Sequence, residues 1–301
     1  PLVGPLLIAC LPAVRDWGAV PRWRLGLRVV AGAGAVFALF SALSRLGFLP
    51  ADQADVVNHE KAFLVVLAVA AALAARDLRL VLVAAGAAVF AFATYPAATY
   101  LVAAAAAVGT VVLARWSPGA TARVWLAAAS MAATAWAVLR IDDLLALAGT
   151  YFELVGKTNN SGTRRALYEE ALQGLENPLV GSLFTGDITV VGTLSGQDRV
   201  VPVHNDYLSI TLGGGLLAAA LLLGLFLYAN GLALRSLREM TDPEQRRTVI
   251  ALLSGVNAAA VSAFANPIFM NPGASALAYA MLAALVAACR VPAAAPPDDG
   301  R

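Results

Sequence analysis

Hydrophobic positions in this chain do not alternate with polar ones. They come in long runs separated by short polar breaks. Eight runs stand out, near residues 29–48, 57–75, 78–94, 97–114, 123–140, 207–234, 248–268 and 273–289. A bilayer-spanning helix needs about 20 mostly apolar residues, so each run predicts one span. Helix is the expected form, because a segment exposed to lipid must satisfy its own backbone hydrogen bonds. The run from Pro1 to Val14 is short and proline-rich and has no basic leader. It is expected to be the tail of a truncated helix, with more helices upstream, rather than a signal peptide. The fold class expected is all-α: a polytopic transmembrane bundle over residues 1–290, with a disordered cytoplasmic tail at 291–301.

The breaks between runs carry the orientation. Arginines cluster at Arg15, Arg22, Arg24 and Arg28, at Arg76 and Arg79, at Arg115 and Arg123, at Arg235, Arg238, Arg246 and Arg247, and at Arg290. These clusters fall on every second connection. The connections between them are poorer in basic residues: Ala51–Glu60 is acidic, Tyr95-Pro96 is a tight turn, and Asn266–Pro272 is uncharged. The positive-inside rule puts the arginine-rich set, and with it the C-terminus, in the cytoplasm.

One connection is long. Residues 141–206 form an outer-face loop of about 65 residues, and loops of that size without a task are uncommon. Its middle, Thr163–Glu176, predicts a short amphipathic helix capped by Ser161 or Thr163, with Leu167, Ala171, Leu172 and Leu175 on one stripe and Asn177-Pro178 as its stop. The stretch Gly181–Pro202 is rich in glycine and carries β-prone pieces such as Ile188–Val191.

Composition agrees with the pattern. Hydrophobic residues make up 60% of the chain and charged residues 13%, against roughly 25% charged in soluble domains. A net charge of +2, spread over loops, gives no surface for nucleic acid. Cys10 and Cys289 lie in or beside apolar runs and form neither a disulfide framework nor a metal cluster. Two histidines make a histidine metal site unexpected, and no glycine-rich phosphate loop of the nucleotide-binding types is present. No cofactor and no metal site are expected.

Several constellations remain, each with two readings. His204-Asn205-Asp206 sits where the long loop re-enters the membrane; it is either a polar interfacial cap of the next helix or a proton-handling site. Arg164-Arg165 opens the loop helix. Arg165 can pair with Glu169 one turn on, whereas Arg164, in line with Tyr168, suits a phosphate. Asp142-Asp143 is a solvated interface or a seat for a divalent cation, and Arg140 before it can snorkel to headgroups or meet a lipid phosphate. His59-Glu60-Lys61 reads as an interfacial cap. Gly213-Gly214-Gly215 predicts a hinge or a close helix crossing.

Three of these stretches, in order, resemble the O-antigen ligase and O-antigen polymerase family of bacterial envelope glycan assembly. Ser161-Gly162-Thr163-Arg164-Arg165-Ala166-Leu167-Tyr168 resembles its Ser-Gly-Arg segment. Asn177-Pro178-Leu179-Val180-Gly181 resembles its Asn-Pro-Leu-x-Gly turn. His204-Asn205-Asp206-Tyr207-Leu208, followed by Gly214-Gly215-Leu216, is similar to its His-Asn-x-x-Leu signature. The resemblance implies a multi-pass protein of the bacterial inner membrane that moves a glycan, without a metal, from a polyprenyl-pyrophosphate donor to a hydroxyl of a glycan or glycolipid acceptor. On that reading His204 takes the acceptor proton, Arg164 and Arg165 hold the pyrophosphate, and Asn205, Asp206, Tyr168 and Arg140 support them. The family's Ser-Arg pair at the outer start of a helix is replaced here by Thr94-Tyr95-Pro96-Ala97; Arg140 and Arg45 are the candidates to stand in for its arginine. Two readings from other classes are a lipid or polysaccharide transporter, which would place charges or broken helices near the midplane, and a non-catalytic subunit of an envelope assembly complex.

Overall fold

The structure, a computed structural model, describes residues 23–48, 61–116, 150, 168–173, 175, 177–183, 189–194, 197–202, 205–264 and 266–290. Its elements are α1 (Trp23–Arg45), α2 (Ala62–Ala75), α3 (Leu78–Thr94), α4 (Ala98–Trp116), β1 (Thr189–Leu194), β2 (Gln197–Pro202), α5 (Asp206–Glu239), α6 (Pro243–Ser262) and α7 (Pro272–Arg290). The described chain is helical apart from the antiparallel β1–β2 hairpin. It divides into two compact units: residues up to Arg115 together with those from Leu221 onward, and Trp116–Ala220. The expected run at 123–140 and the tail at 291–301 lie outside the described residues.

Among the described residues four helices are long and apolar enough to cross a membrane: Arg24–Arg45, Ala98–Arg115, Asp206–Glu239 and Gly273–Arg290. The other runs depart from the one-run, one-span expectation. α2 has 14 residues, about 21 Å at ~1.5 Å per residue, against a hydrocarbon core of about 30 Å. It is apolar on every side, as a helix in a protein core or in a membrane is, and eight of its residues, Phe63 and Leu67 among them, are buried. α3, with 17 residues, is also short. α6 begins five residues before the apolar run at 248, because Asp242 caps it and Pro243 supplies its first turn. The Asp242 carboxylate accepts from the Glu244 and Gln245 amides at 2.9 and 3.3 Å.

In the first unit α2 is the central helix, packed against α1, α3 and α6. Small residues set the spacing. Ala31, Ala35, Ala38 and Ala42 form the buried stripe of α1, and a Cβ on Gly34 would stand 2.5 Å from Ala68 Cβ and 3.0 Å from the Leu64 carbonyl. Close backbone approach through small residues is the usual means of joining apolar helices that gain nothing from expelling water.

Polar side chains register the helices. The Asn230 and Asn257 amides bond each other reciprocally at 2.9 and 3.0 Å, and Asn257 also donates to Thr110 Oγ1 at 3.0 Å. Asn266 donates to Thr99 Oγ1 at 2.9 Å. Arginine-bearing helix ends gather at one end of this unit. Arg24 bonds Glu244, Arg28 meets Asp77 at 3.1 Å, Arg246 caps the Leu237 carbonyl at 2.8 Å, and Gln245 donates to the Ala288 carbonyl at 2.8 Å. Arg24, Arg28 and Arg246, from two of the arginine-rich connections in the sequence, thus share one end of this unit.

Gly34→Val is expected to destabilise the protein by about 1–3 kcal/mol through overpacking, lowering the melting temperature in detergent. Gly26→Val, where a Cβ meets nothing within 4 Å, should leave that temperature unchanged. Equal effects of the two substitutions would contradict the α1–α2 contact.

Candidate functional site

The second unit holds the distinctive backbone. Residues 168–173 are helical, and the Leu175 amide closes onto the Leu172 carbonyl at 3.3 Å. Of the predicted stripe, Ala171 is buried but Leu172 is exposed. The chain then turns at Asn177. Its side-chain oxygen accepts from the Leu179 and Val180 amides at 3.0 and 3.4 Å, and its carbonyl accepts from the Gly181 amide at 2.8 Å. This is how asparagine builds a turn, its side chain mimicking backbone two residues on. Proline at 178 favours the stop, having no amide to continue a helix. Gly181 takes the left-handed conformation at φ +57°.

That turn docks on a break in α5. Gly215 has φ +68° and ψ −173°, a combination open essentially to glycine alone. The break strips the helix of its own hydrogen bonds, and the turn restores them. The Leu216 amide donates to the Pro178 carbonyl at 2.8 Å and the Leu217 amide to the Leu179 carbonyl at 3.2 Å; the Ser182 amide donates to the Leu212 carbonyl at 2.9 Å. The two backbones come so close that a Cβ on Gly215 would lie 2.1 Å from the Leu179 carbonyl group, and one on Gly181 would lie 2.4 Å from the Leu212 oxygen. Buried backbone donors and acceptors must be paired, and here each side of the junction supplies the other's missing partners.

Between turn and break lies the hairpin, Thr189 paired with Pro202 at its open end and Leu194 with Gln197 at the turn end. Proline at the strand's last position costs little, since no ladder bond beyond it is needed. Asn205 follows almost at once. Its side chain accepts from the Leu208 amide at 3.1 Å and its carbonyl from the Ser209 amide at 2.9 Å, so Asn205 is the N-cap of α5. Asp206, in the first turn, is fully buried; a carboxylate there is favoured by the helix dipole.

Of the residues singled out in the sequence, His204, Arg164, Arg165 and Arg140 lie outside the described residues, as do Asp142, Asp143, His59 and Glu60. Tyr168 is half-buried at the start of the helical piece. Asn205 and Asp206 are adjacent at the head of α5, with Asn205 in the capping role. The Asn177–Gly181 turn and the glycines before Leu216, far apart in sequence, are brought together. In the other unit the exposed Arg45 has its guanidinium 4.2 Å from the centre of the Tyr95 ring, a cation–π contact. It stands beside the Thr94–Ala97 segment that lacks an arginine of its own. The Asn230–Asn257–Thr110 tie escaped the sequence reading; its signal was two lone asparagines inside apolar runs. Comparison of the chain with family models, with curated proteins and with solved structures found no match.

Gly215→Ala is expected to cost about 1–3 kcal/mol from strain at this backbone position and to release the turn. Limited proteolysis should then cut residues 177–183 faster than in the wild type. Gly231→Ala, in the same helix where a Cβ meets nothing within 4 Å, should leave cleavage unchanged. Equal resistance in Gly215→Ala would mean that the turn is held by something other than the break.

Proposed function

We propose that this chain is a multi-pass membrane glycosyltransferase of the O-antigen ligase or polymerase type. The observation that carries the proposal is the junction of the Asn177–Gly181 turn with the glycine break in α5. Two of the three stretches that resemble the family, Asn177–Gly181 and the one that begins at His204 and ends in Gly214-Gly215-Leu216, are thereby joined by backbone hydrogen bonds. A rigid junction at this place supports a role for the long loop as a built site rather than a spacer.

The donor would be a glycan on polyprenyl pyrophosphate, held with its lipid among the apolar helices and its pyrophosphate at the outer face of a bacterial cytoplasmic membrane. The acceptor would be a hydroxyl of a glycan or glycolipid. That hydroxyl attacks the anomeric carbon; the new glycosidic bond forms as the bond to the pyrophosphate oxygen breaks, and polyprenyl pyrophosphate leaves with the bonding pair. His204 takes the proton of the attacking hydroxyl. Arg164, with Arg165, bears on the pyrophosphate and offsets the charge that grows on it. Asn205, capping α5, and Asp206, buried behind it, fix the backbone that follows His204, while Tyr168 and Arg140 support the arginines.

One observation favours a transporter: α5 is broken within a stretch apolar enough to span, and transporters use broken helices to bind substrate. The freed groups at this break, however, are taken by the loop, with the Leu212 carbonyl and the Leu216 and Leu217 amides all bonded. A backbone already satisfied has little to offer an ion or solute, and this favours the enzyme.

Protein reconstituted with a polyprenyl-pyrophosphate glycan and candidate acceptors should form product, and should do so with a chelator present. His204→Ala should lower the rate by about 10²–10⁴-fold with an unchanged melting temperature. Transfer by His204→Ala at the wild-type rate would sink the assignment of the base, and an absolute metal requirement would move attention to Asp142 and Asp143.

A further inference from the structure

The first unit contains a groove of about 600 Å³ between α2, α3, α4 and α6. Its walls are apolar along nearly their whole length, Val69, Val112 and Ile250 among them. On its lip Leu73, Val89 and Val108 are 58%, 68% and 64% exposed, so it opens sideways from the helices rather than toward their ends. Along α4 it runs from Tyr100 to Arg115, about 22 Å at ~1.5 Å per residue. One leaflet of a ~30 Å hydrocarbon core is about 15 Å deep, so the groove is long enough for an extended acyl chain.

One end of the groove is cationic. Arg115 and Arg247 both line it, at the end of the unit where Arg24 bonds Glu244 and Arg28 bonds Asp77. Those neighbours have acidic partners; among the described residues Arg115 and Arg247 have none. The Nε of Arg247 is buried and has no hydrogen-bond acceptor. A buried charged donor without an acceptor is costly, and native structures rarely leave one so. A negatively charged oxygen at this end of the groove would remove that cost. A soluble anion would meet it but would leave the apolar length above empty.

We propose that the groove holds one anionic phospholipid, with its phosphodiester between Arg115 and Arg247 and one acyl chain along α4. Guanidinium suits phosphate through its planar fork of donors, and basic pockets between spanning helices on the positively charged side recognise anionic headgroups. A zwitterionic headgroup would bring an ammonium to two guanidiniums and lose part of the attraction. The lipid would fill the space between α4 and α2, where α4 is otherwise tied through Thr99 and Thr110 to α6 and its following loop. The two arginines lie at the end of the groove opposite Tyr100. The proposal rests on the helices lying in a bilayer and not on glycosyl transfer.

The full chain, purified in a neutral detergent, is titrated with phosphatidylglycerol, with phosphatidylcholine of the same acyl chains, and with inorganic phosphate. Melting temperature and native mass spectrometry are read together. Phosphatidylglycerol should raise the melting temperature saturably and leave one lipid per chain. Phosphatidylcholine should need about tenfold more, and inorganic phosphate should give no comparable rise. Arg247→Gln and Arg115→Gln should each weaken the phosphatidylglycerol effect by about tenfold, the scale of a charge-assisted bond. Val108→Trp, which blocks the groove without touching either arginine, should abolish retention. If Arg247→Gln fails to fold, the exposed Arg115 and Val108 variants still decide. Equal effects of the two lipids, an equal effect of phosphate alone, or unaltered binding in the variants would each overturn the proposal.

Discussion

A helix broken inside an apolar stretch must find new partners for the backbone groups it frees, and the second unit of this chain is organised around that demand. At Gly215 the helix gives up its own ladder, and the turn at Asn177–Gly181 completes it with three backbone bonds. In water the net gain from each would be about 0.5–1.5 kcal/mol. In an apolar setting the alternative is an unpaired group, which costs more than that gain. The constraint explains the residue types. Gly215 occupies a conformation closed to side chains, Gly181 approaches within a Cβ of the Leu212 carbonyl, Asn177 folds the turn with its own amide oxygen, and Pro178 ends the helix that precedes it.

The junction has a consequence for the stretch between its two halves. Residues 182–211 are tethered at both ends, and the β1–β2 hairpin folds within that span. The chain leaves the hairpin at Pro202 and is helical from Asp206, where Asn205 caps the first turn. Val203 and His204 are the two positions between strand β2 and Asn205. A general base needs an orientation fixed by something other than itself. For the base proposed at His204, the flanking capped helix and paired strand would be the source of such fixing.

Much of the helical layout was legible in the sequence. The run at 78–94 coincides with α3, and the runs at 97–114 and 273–289 differ from α4 and α7 by a residue or two. The misses have physical causes. The run at 57–75 corresponds to α2, which begins only at Ala62, so its 14 residues are fewer than the run predicts. α6 was placed five residues late because Glu244–Arg247 is polar, although Asp242-Pro243 is an explicit helix start. The glycine triplet predicts a hinge or a close crossing, and Gly215 makes a break whose partner is the Asn177–Gly181 turn. No periodicity connects Asn177 to Gly215, since their meeting is a matter of backbone bonds and not of side-chain pattern. The polar tie of Asn230, Asn257 and Thr110 was invisible for the same reason: each residue alone reads as an isolated polar position.

Hydrogen exchange at the Ser182 amide reports on the junction, because only the docked turn gives that amide its partner on Leu212. Ser182 is expected to be protected together with Leu216 and Leu217, and Asn177→Ala, which unfastens the turn, to speed exchange at all three. A Ser182 amide that exchanges at the rate of a free peptide while Leu216 and Leu217 stay protected would mean that α5 runs unbroken through Gly215, and the account would fail.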